Sequence, residues 1–186
     1  MKKLTLLFAL FCLLIQACDS NKELSRDEAL KQIKQGRNFP VVIDYDVYCG
    51  DPKYGRKALY AGLESAGLVT ILKSQKLGDL SQPLITFTPK AQPFLLSTPE
   101  KDRSSKIQRV KLADEELVEV TNVRTNEAGN KAVVDYTTAF KNITPFAALT
   151  TVDFNKSKTN KAYFAFGDDG WKLEKKPGLD FVEFEK

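Results

Sequence analysis

The C-terminal half of the chain has the alternating pattern of β-strands, and this pattern limits the fold more than any other feature. Between residues 132 and 140, one alternating set of positions is more apolar than the other, and it consists of Val134, Tyr136, Thr138 and Phe140. Successive side chains of a strand point to opposite faces, so this alternation predicts a strand with one buried face. The runs IQRVKLA and ELVEVTNVRT also predict strands. Residues 107–186 are therefore predicted to form an antiparallel β-sheet with meander order.

A hairpin is predicted near the C-terminus, where the runs KAYFAF and WKLEK are separated by GDDG. Asp-Gly turns of this kind join two adjacent antiparallel strands. Tyr163 and Trp171 lie on opposite strands and are expected to meet across the turn. The ending FAFGDDGWKLE resembles the last hairpin of small exported cystatin-like or NTF2-like domains. That resemblance implies such a sheet for residues 107–186.

The N-terminal part mixes helix and strand signals. Ser25-Arg26-Asp27-Glu28 is a capping box and predicts a helix over residues 26–35 that stops at Gly36. Alternating apolar residues predict a strand over residues 39–47. The segment CGDPKYG predicts a turn. A second helix is then expected to continue to Gly67, with Leu59, Leu63 and Ala66 on one face and Leu68 packing back onto its last turn.

This order of elements resembles a winged-helix module, and residues 59–95 carry the resemblance. A helix ending in AGLV is followed by β-like residues 68–72 and by the strand LITFT, which runs into TPKA. In DNA-binding members, the helix before the wing is rich in basic and amide side chains. Here LYAGLESAGL contains one acid, and only Arg56 and Lys57 precede it. The module is therefore interpreted as a packing or protein-contact domain, with no nucleic acid partner.

The complete fold prediction is an α+β chain. A small N-terminal αβ module, winged-helix-like, covers residues 25–96. A charged, hydroxyl-rich linker covers residues 97–106. The C-terminal antiparallel sheet covers residues 107–186.

The first residues predict export. Lys2 and Lys3 precede an apolar run, Leu4 to Ile15. A helix needs about 20 apolar residues to span a bilayer, so this run is too short for a permanent span. Its length and its positive start are typical of a secretory signal.

Ile15-Gln16-Ala17-Cys18 resembles the lipobox of bacterial lipoproteins, with Gln16 in place of the usual small or hydroxyl residue. The resemblance implies a signal peptide over residues 1–17, acylation of Cys18, a tether over residues 18–24 and a location in the cell envelope, facing the periplasm. Asp19 resembles the signal that retains enteric lipoproteins in the inner membrane, but the choice of membrane stays open. A plain signal peptide or an uncleaved anchor is the alternative.

Composition excludes several kinds of chemistry. The chain has no histidine, which removes Ser-His-Asp and Cys-His catalysis and every histidine metal site. Processing would leave Cys49 as the one free thiol, so an intramolecular disulfide cannot form. Loss of Lys2 and Lys3 lowers the formal charge of +4 by two, and the remaining charge does not demand a nucleic acid partner.

Asp44, Asp46 and Asp51 are the candidate catalytic or metal-binding carboxylates. Neighbouring carboxylates can bind a hard cation or act as general acid and base. However, Asp44 and Asp46 share the polar face of a predicted strand, Asp51 lies in an Asp-Pro turn, and their spacing is not that of an EF-hand loop. The sequence therefore predicts no metal and no cofactor.

Tyr45, Tyr48, Cys49 and Tyr54 form the candidate surface for a protein partner. Exposed tyrosines are enriched at protein interfaces, although core packing is their more common use. Cys49 is either a buried small hydrophobe or a free thiol, and its aromatic neighbours favour burial.

Together these observations predict a membrane-anchored envelope lipoprotein that is not an enzyme and that serves as a binding or assembly component for an envelope protein. The alternative is an envelope hydrolase or ligand-binding enzyme that uses Asp44, Asp46 and Asp51. A third possibility, DNA binding through the winged helix, would require that residues 1–17 are not an export signal.

Overall fold

The computed structural model describes residues 23–74, 82–179 and 181. The predictions for the signal peptide, Cys18 and Asp19 lie outside these residues. The helices are α1 (Arg26–Gly36), α2 (Pro52–Tyr60) and α3 (Glu100–Ser104), with 3-10 helices at Pro89–Phe94 and Pro145–Leu149. The strands are β1 (Val41–Tyr48), β2 (Val69–Ile71), β3 (Ile85–Phe87), β4 (Ile107–Thr125), β5 (Lys131–Lys141), β6 (Lys158–Gly167) and β7 (Gly170–Leu173).

The predicted α+β class and the antiparallel, β-rich C-terminal part are confirmed. Five strands form one sheet in the order β1-β4-β5-β6-β7, and β2 pairs with β3 in a separate two-stranded sheet. By compactness the chain divides into two units. The first takes its described residues from the chain up to Gly36, from Val120–Tyr136 and from Asn160 onwards, and the second takes them from Arg37–Glu119 and Thr137–Thr159. Residues 97–106, which contain α3, lie within the second unit.

In the first unit, α1 forms where the capping sequence predicts it. The Ser25 hydroxyl accepts a hydrogen bond from the Glu28 amide at 3.1 Å, and Ala29 and Ile33 are buried. The helix packs against β7, which is an edge strand of the five-stranded sheet. The Gln32 side chain donates to the Trp171 carbonyl at 2.7 Å and accepts from the Leu173 amide at 3.1 Å. A single side chain thereby satisfies two backbone groups that an edge strand would otherwise leave open.

Replacement of Gln32 by alanine is expected to lower the free energy of unfolding by about 1–3 kcal/mol, because it leaves a part-buried donor and acceptor of β7 without this partner. Lys34→Ala, on the exposed face of the same helix, is the matched control and should change stability by less than about 0.5 kcal/mol. Urea unfolding followed by the fluorescence of Trp171, the only tryptophan, measures both variants. Equal effects of the two substitutions would show that the Gln32 bonds do not stabilise the edge.

The C-terminal hairpin is confirmed, but its predicted aromatic pair is wrong. Gly167 pairs with Gly170, so the two-residue turn places Phe166 opposite Trp171, and their ring centroids are 5.3 Å apart. Tyr163 comes three residues before Phe166 in β6, so in this register it lies beyond the reach of Trp171. Its ring instead contacts that of Phe181 at 5.3 Å.

The second unit has its own apolar core, which includes Val47, Leu63, Leu68, Val110 and Phe146. In this unit β1 pairs antiparallel with β4, and the register shifts between Ile43 and Asp44. The shift leaves Leu112 of β4 without a partner residue on β1, as in a β-bulge. The Leu112 carbonyl accepts from the Thr144 amide at 2.8 Å, and the Lys111 carbonyl accepts from the Thr144 hydroxyl at 2.6 Å.

The predicted helix up to Gly67 is shorter than expected. α2 ends at Tyr60, and Gly62 has a φ of +70°, a left-handed conformation that stops the helix. One further turn follows, and it ends at Gly67 (φ +71°), where the Leu68 amide donates to the Leu63 carbonyl and the Gly67 amide to the Glu64 carbonyl. These two bonds are the predicted Schellman arrangement, with Leu63 and Leu68 both buried.

Candidate functional site

All seven of the candidate carboxylates and partner-contact residues belong to β1, to the start of α2 or to the turn that joins them. The side chain of Asp51 caps α2, because its Oδ1 accepts from the Lys53 amide at 2.8 Å and Pro52 occupies the first turn. The segment predicted as a turn is therefore largely a helix start. Asp51 is used to begin the helix and does not converge with Asp44 and Asp46.

Asp44 and Asp46 do lie on one face of β1, as predicted, and both face Arg109 of β4. Register places Arg109 directly opposite Asp46. The guanidinium binds Asp46 through two hydrogen bonds, Nε to Oδ1 at 2.8 Å and Nη2 to Oδ2 at 3.2 Å, and its Nε lies 3.6 Å from Asp44 Oδ2. The hydrogen bond and charge of Asp46, followed by the charge of Asp44, raise the pKa of Arg109. The two carboxylates thus form a cross-strand ion pair with one cation.

Within residues 23–74, 82–179 and 181, no three acidic, cysteine or histidine side chains are arranged to hold a metal ion. The same residues include no helix that is both long and apolar enough to cross a bilayer.

The structure brings the three tyrosines of the candidate partner surface together. The Tyr54 ring lies between those of Tyr45 and Tyr48, with centroid distances of 6.1 and 4.9 Å. The Tyr45 hydroxyl accepts from the Lys57 ammonium at 2.6 Å. Burial, followed by the neighbouring Tyr45, raises the pKa of Tyr54. Tyr48 is 42% exposed, so it is the member most open to a partner.

Cys49 is buried, as its aromatic neighbours favour. It is 7% exposed, and its thiol lies 3.5 Å from the Val47 carbonyl. Burial raises the pKa of the thiol to about 11, so it is protonated and weakly nucleophilic at neutral pH. The backbone of Cys49 also joins β1 to β3, because its carbonyl accepts from the amides of Leu84 and Ile85. Its burial leaves the three tyrosines as the accessible part of the candidate partner surface.

A groove that the sequence did not predict lies along the other side of α2. One wall is formed by Pro52, Gly55, Arg56 and Leu59, which are spaced at i, i+3, i+4 and i+7 and therefore share one face of the helix. The opposite wall comes from the end of the β2–β3 hairpin at which the two strands are connected, and it contains Ile71, Leu72, Lys73 and Leu84. The cavity has a volume of about 420 Å³. It is called the α2 groove below.

The α2 groove has apolar walls and a positive rim. Leu59 and Leu72 both line the groove and are 46% and 44% exposed. Arg56 has no hydrogen bond or ion pair to any other residue that the structure describes. Lys73 Nζ lies 3.9 Å from Glu64 Oε2, while Glu64 Oε1 accepts from the Ile71 amide at 3.0 Å. The cation of Arg56 is thus available to a ligand.

Gly55 is buried in the middle of α2 at a position that could hold a larger residue. A Cβ built there would lie 3.7 Å from Ile71 Cγ2, which is an ordinary van der Waals distance. Gly55→Ala is therefore expected to raise the free energy of unfolding by about 0.5–1 kcal/mol, because glycine is the poorer helix former. Gly62→Ala is the matched control and should lower stability, since its φ of +70° strains an L-residue. Urea unfolding measures both, and destabilisation by Gly55→Ala would show that the groove wall is tighter than described.

Comparison of the chain with profiles of protein families, with curated proteins and with solved structures gave no match.

Proposed function

We propose that the chain is a lipoprotein of the bacterial cell envelope, anchored through acylated Cys18 and facing the periplasm, that works by binding rather than by catalysis. The segment Ile15-Gln16-Ala17-Cys18, after two lysines and a dozen apolar residues, carries the proposal for the anchor. One acyl chain gives marginal membrane binding and two or more give stable binding, so a diacylated cysteine would suffice as the anchor.

The described residues support binding over hydrolysis. Two of the three candidate carboxylates share the guanidinium of Arg109, and the third caps a helix. By contrast, α2 presents two surfaces suited to binding, the tyrosine cluster around Tyr48 on one side and the α2 groove on the other. We accordingly propose an envelope protein as the partner of the tyrosine cluster and propose no nucleic acid partner.

The proposal includes two finer fold assignments, a winged-helix-like module and a cystatin-like or NTF2-like sheet. The winged-helix-like interpretation refers to residues 59–95, which include the last two residues of α2, the turn that ends at Gly67 and the β2–β3 hairpin in the place of the wing. The cystatin-like or NTF2-like interpretation refers to β4 to β7. Either assignment is compatible with a binding component.

The intact mass of the protein extracted from membranes tests the anchor. Wild type should have a mass that begins at Cys18 and includes acyl chains, and Cys18→Ala should lose both the acyl mass and the membrane association. Cys12→Ala is the matched control, because Cys12 lies in the leader and its loss should leave the mature mass unchanged. A full-length, unacylated wild-type product would overturn the lipoprotein proposal.

A further inference from the structure

The α2 groove leaves an apolar helix face and a hairpin end without a protein partner among the described residues. Its volume of about 420 Å³ falls within the range of small-molecule sites, about 300–1,000 Å³. Leu59 and Leu72 both line the groove and are close to half exposed, so an apolar ligand there would remove part of their surface from water. Such a ligand would be held along its length by the leucine and isoleucine side chains of both walls.

The charge at the groove selects the polar end of that ligand. Arg56 is exposed, lines the groove and is not neutralised by any described acid. Lys73 lies on the opposite wall and is held at 3.9 Å from Glu64, which is a loose and exposed contact. An anionic group that reaches Arg56 would form charge-assisted hydrogen bonds with a donor that has no competing partner.

Gly55 gives an independent indication that the groove is kept open. Alanine would fit at this position and would favour the helix, yet the chain has glycine. Residues that lower stability without a steric reason are commonly found at functional sites. A side chain at position 55 would project toward Ile71 and reduce the space between the two walls.

We propose that the α2 groove binds a small anionic amphiphile, with its apolar chain between α2 and the β2–β3 hairpin and its carboxylate or phosphate on Arg56. The proposal names a ligand class for the binding role above, and so rests on that role, but it does not depend on acylation of Cys18. The two ligand sources, a free fatty acid and a phosphate-bearing lipid, share this chemistry.

Photolabelling of the full chain in phosphatidylcholine nanodiscs tests the proposal. The probe is decanoate with a diazirine in its chain, and labelled peptides are mapped by mass spectrometry. Labelling should concentrate in residues 52–59 and 71–74, and decanoate should displace the probe at about tenfold lower concentration than 1-decanol, because only the acid can bind Arg56. Decyl phosphate is the third competitor, and its rank against decanoate distinguishes a phosphate from a carboxylate ligand.

Three variants make the result specific. Arg56→Gln should abolish the tenfold preference for decanoate over decanol, whereas Lys53→Gln, on the same helix but outside the groove, should retain it. Gly55→Leu should reduce labelling by filling the groove, and Arg56→Gln covers the case in which that variant does not fold. Equal displacement by decanol and decanoate in wild type, or labelling spread outside the groove peptides, would overturn the proposal. The intact mass at Cys18 reports separately on the anchor.

Discussion

Replacement of Phe146 by alanine is expected to lower the free energy of unfolding by about 3–5 kcal/mol. The Phe146 ring is fully buried in the core of the second unit, with the rings of Phe87 and Phe94 at centroid distances of 5.9 and 6.0 Å. Its backbone is fixed as well, because the Phe146 amide donates to the Thr144 hydroxyl at the start of the 3-10 helix Pro145–Leu149. The surrounding groups are therefore held in place and can refill the cavity only in part.

Ile143→Ala is the control for this substitution, since Ile143 precedes the same 3-10 helix but is 45% exposed, and its loss should cost about 0.5 kcal/mol or less. Urea unfolding should be followed both by far-ultraviolet circular dichroism and by the fluorescence of Trp171, which belongs to the other unit. Coincident transitions justify a single free energy of unfolding. A loss of under about 1 kcal/mol for Phe146→Ala would mean that the aromatic cluster is not a rigid part of the core.

Local signals in the sequence were sufficient for the elements that depend on neighbouring residues. Ser25 and Glu28 predicted the start of α1, and the alternation around Tyr136 predicted β5 and its buried face. The Gly167–Gly170 turn predicted the last hairpin. In each case the groups that decide the conformation lie within a few residues of each other, so the local sequence pattern is enough to predict the element.

Elements decided by distant contacts were not predictable in this way. Asp46 and Arg109 are separated by 63 positions, and they meet because of the register between β1 and β4. The same register decides the bulge at Leu112, for which a continuous strand pattern gives no signal. The sequence showed two acids on one face but not the cation that neutralises them.

The α2 groove was missed for a related reason. Its walls come from residues 52–59, 71–73 and 84, and nothing in any one of these segments indicates that they enclose a cavity. Gly55 is the available signal, but a glycine close to Asp51-Pro52 also predicts a turn. The Asp51 cap and Pro52 in the first helical turn are the features that would have indicated a helix containing Gly55.

Replacement of Asp114 by alanine is expected to lower the free energy of unfolding by about 2–3 kcal/mol at neutral pH. Asp114 Oδ2 accepts from Lys111 Nζ at 2.6 Å and from Asn142 Nδ2 at 2.8 Å, and the residue is only 8% exposed. Removal of one partner of a buried ion pair costs about 3–5 kcal/mol, because the other charge is left uncompensated. The Lys111 side chain keeps 24% of its exposure and can recover some hydration, so the expected loss is smaller.

The bulge at Leu112 makes this pair possible. Residues three apart in a regular strand point to opposite faces, whereas the extra residue at Leu112 brings Lys111 and Asp114 to the same face. Asn142 reaches Asp114 from a backbone with a φ of +50°, a conformation that asparagine tolerates better than most residues. The substitution Asn142→Ala should therefore also destabilise the protein, by less than Asp114→Ala, since the ion pair would remain.

The stability difference between wild type and Asp114→Asn is expected to depend on pH. The hydrogen bonds from Lys111, followed by Asn142, lower the pKa of Asp114 below its unfolded value of about 3.9. A carboxyl group whose folded pKa is lowered contributes stability above the unfolded pKa and loses it as pH falls through the folded pKa. The difference should thus be full at neutral pH and shrink as the solution is acidified below about pH 4.

Asp153 and Asp169, whose pKa values are also lowered, are present in both proteins and cancel in the difference. Urea unfolding of both proteins at neutral pH and in acid measures it, and a difference that stays constant would show that Asp114 does not stabilise the fold as the charged partner of Lys111.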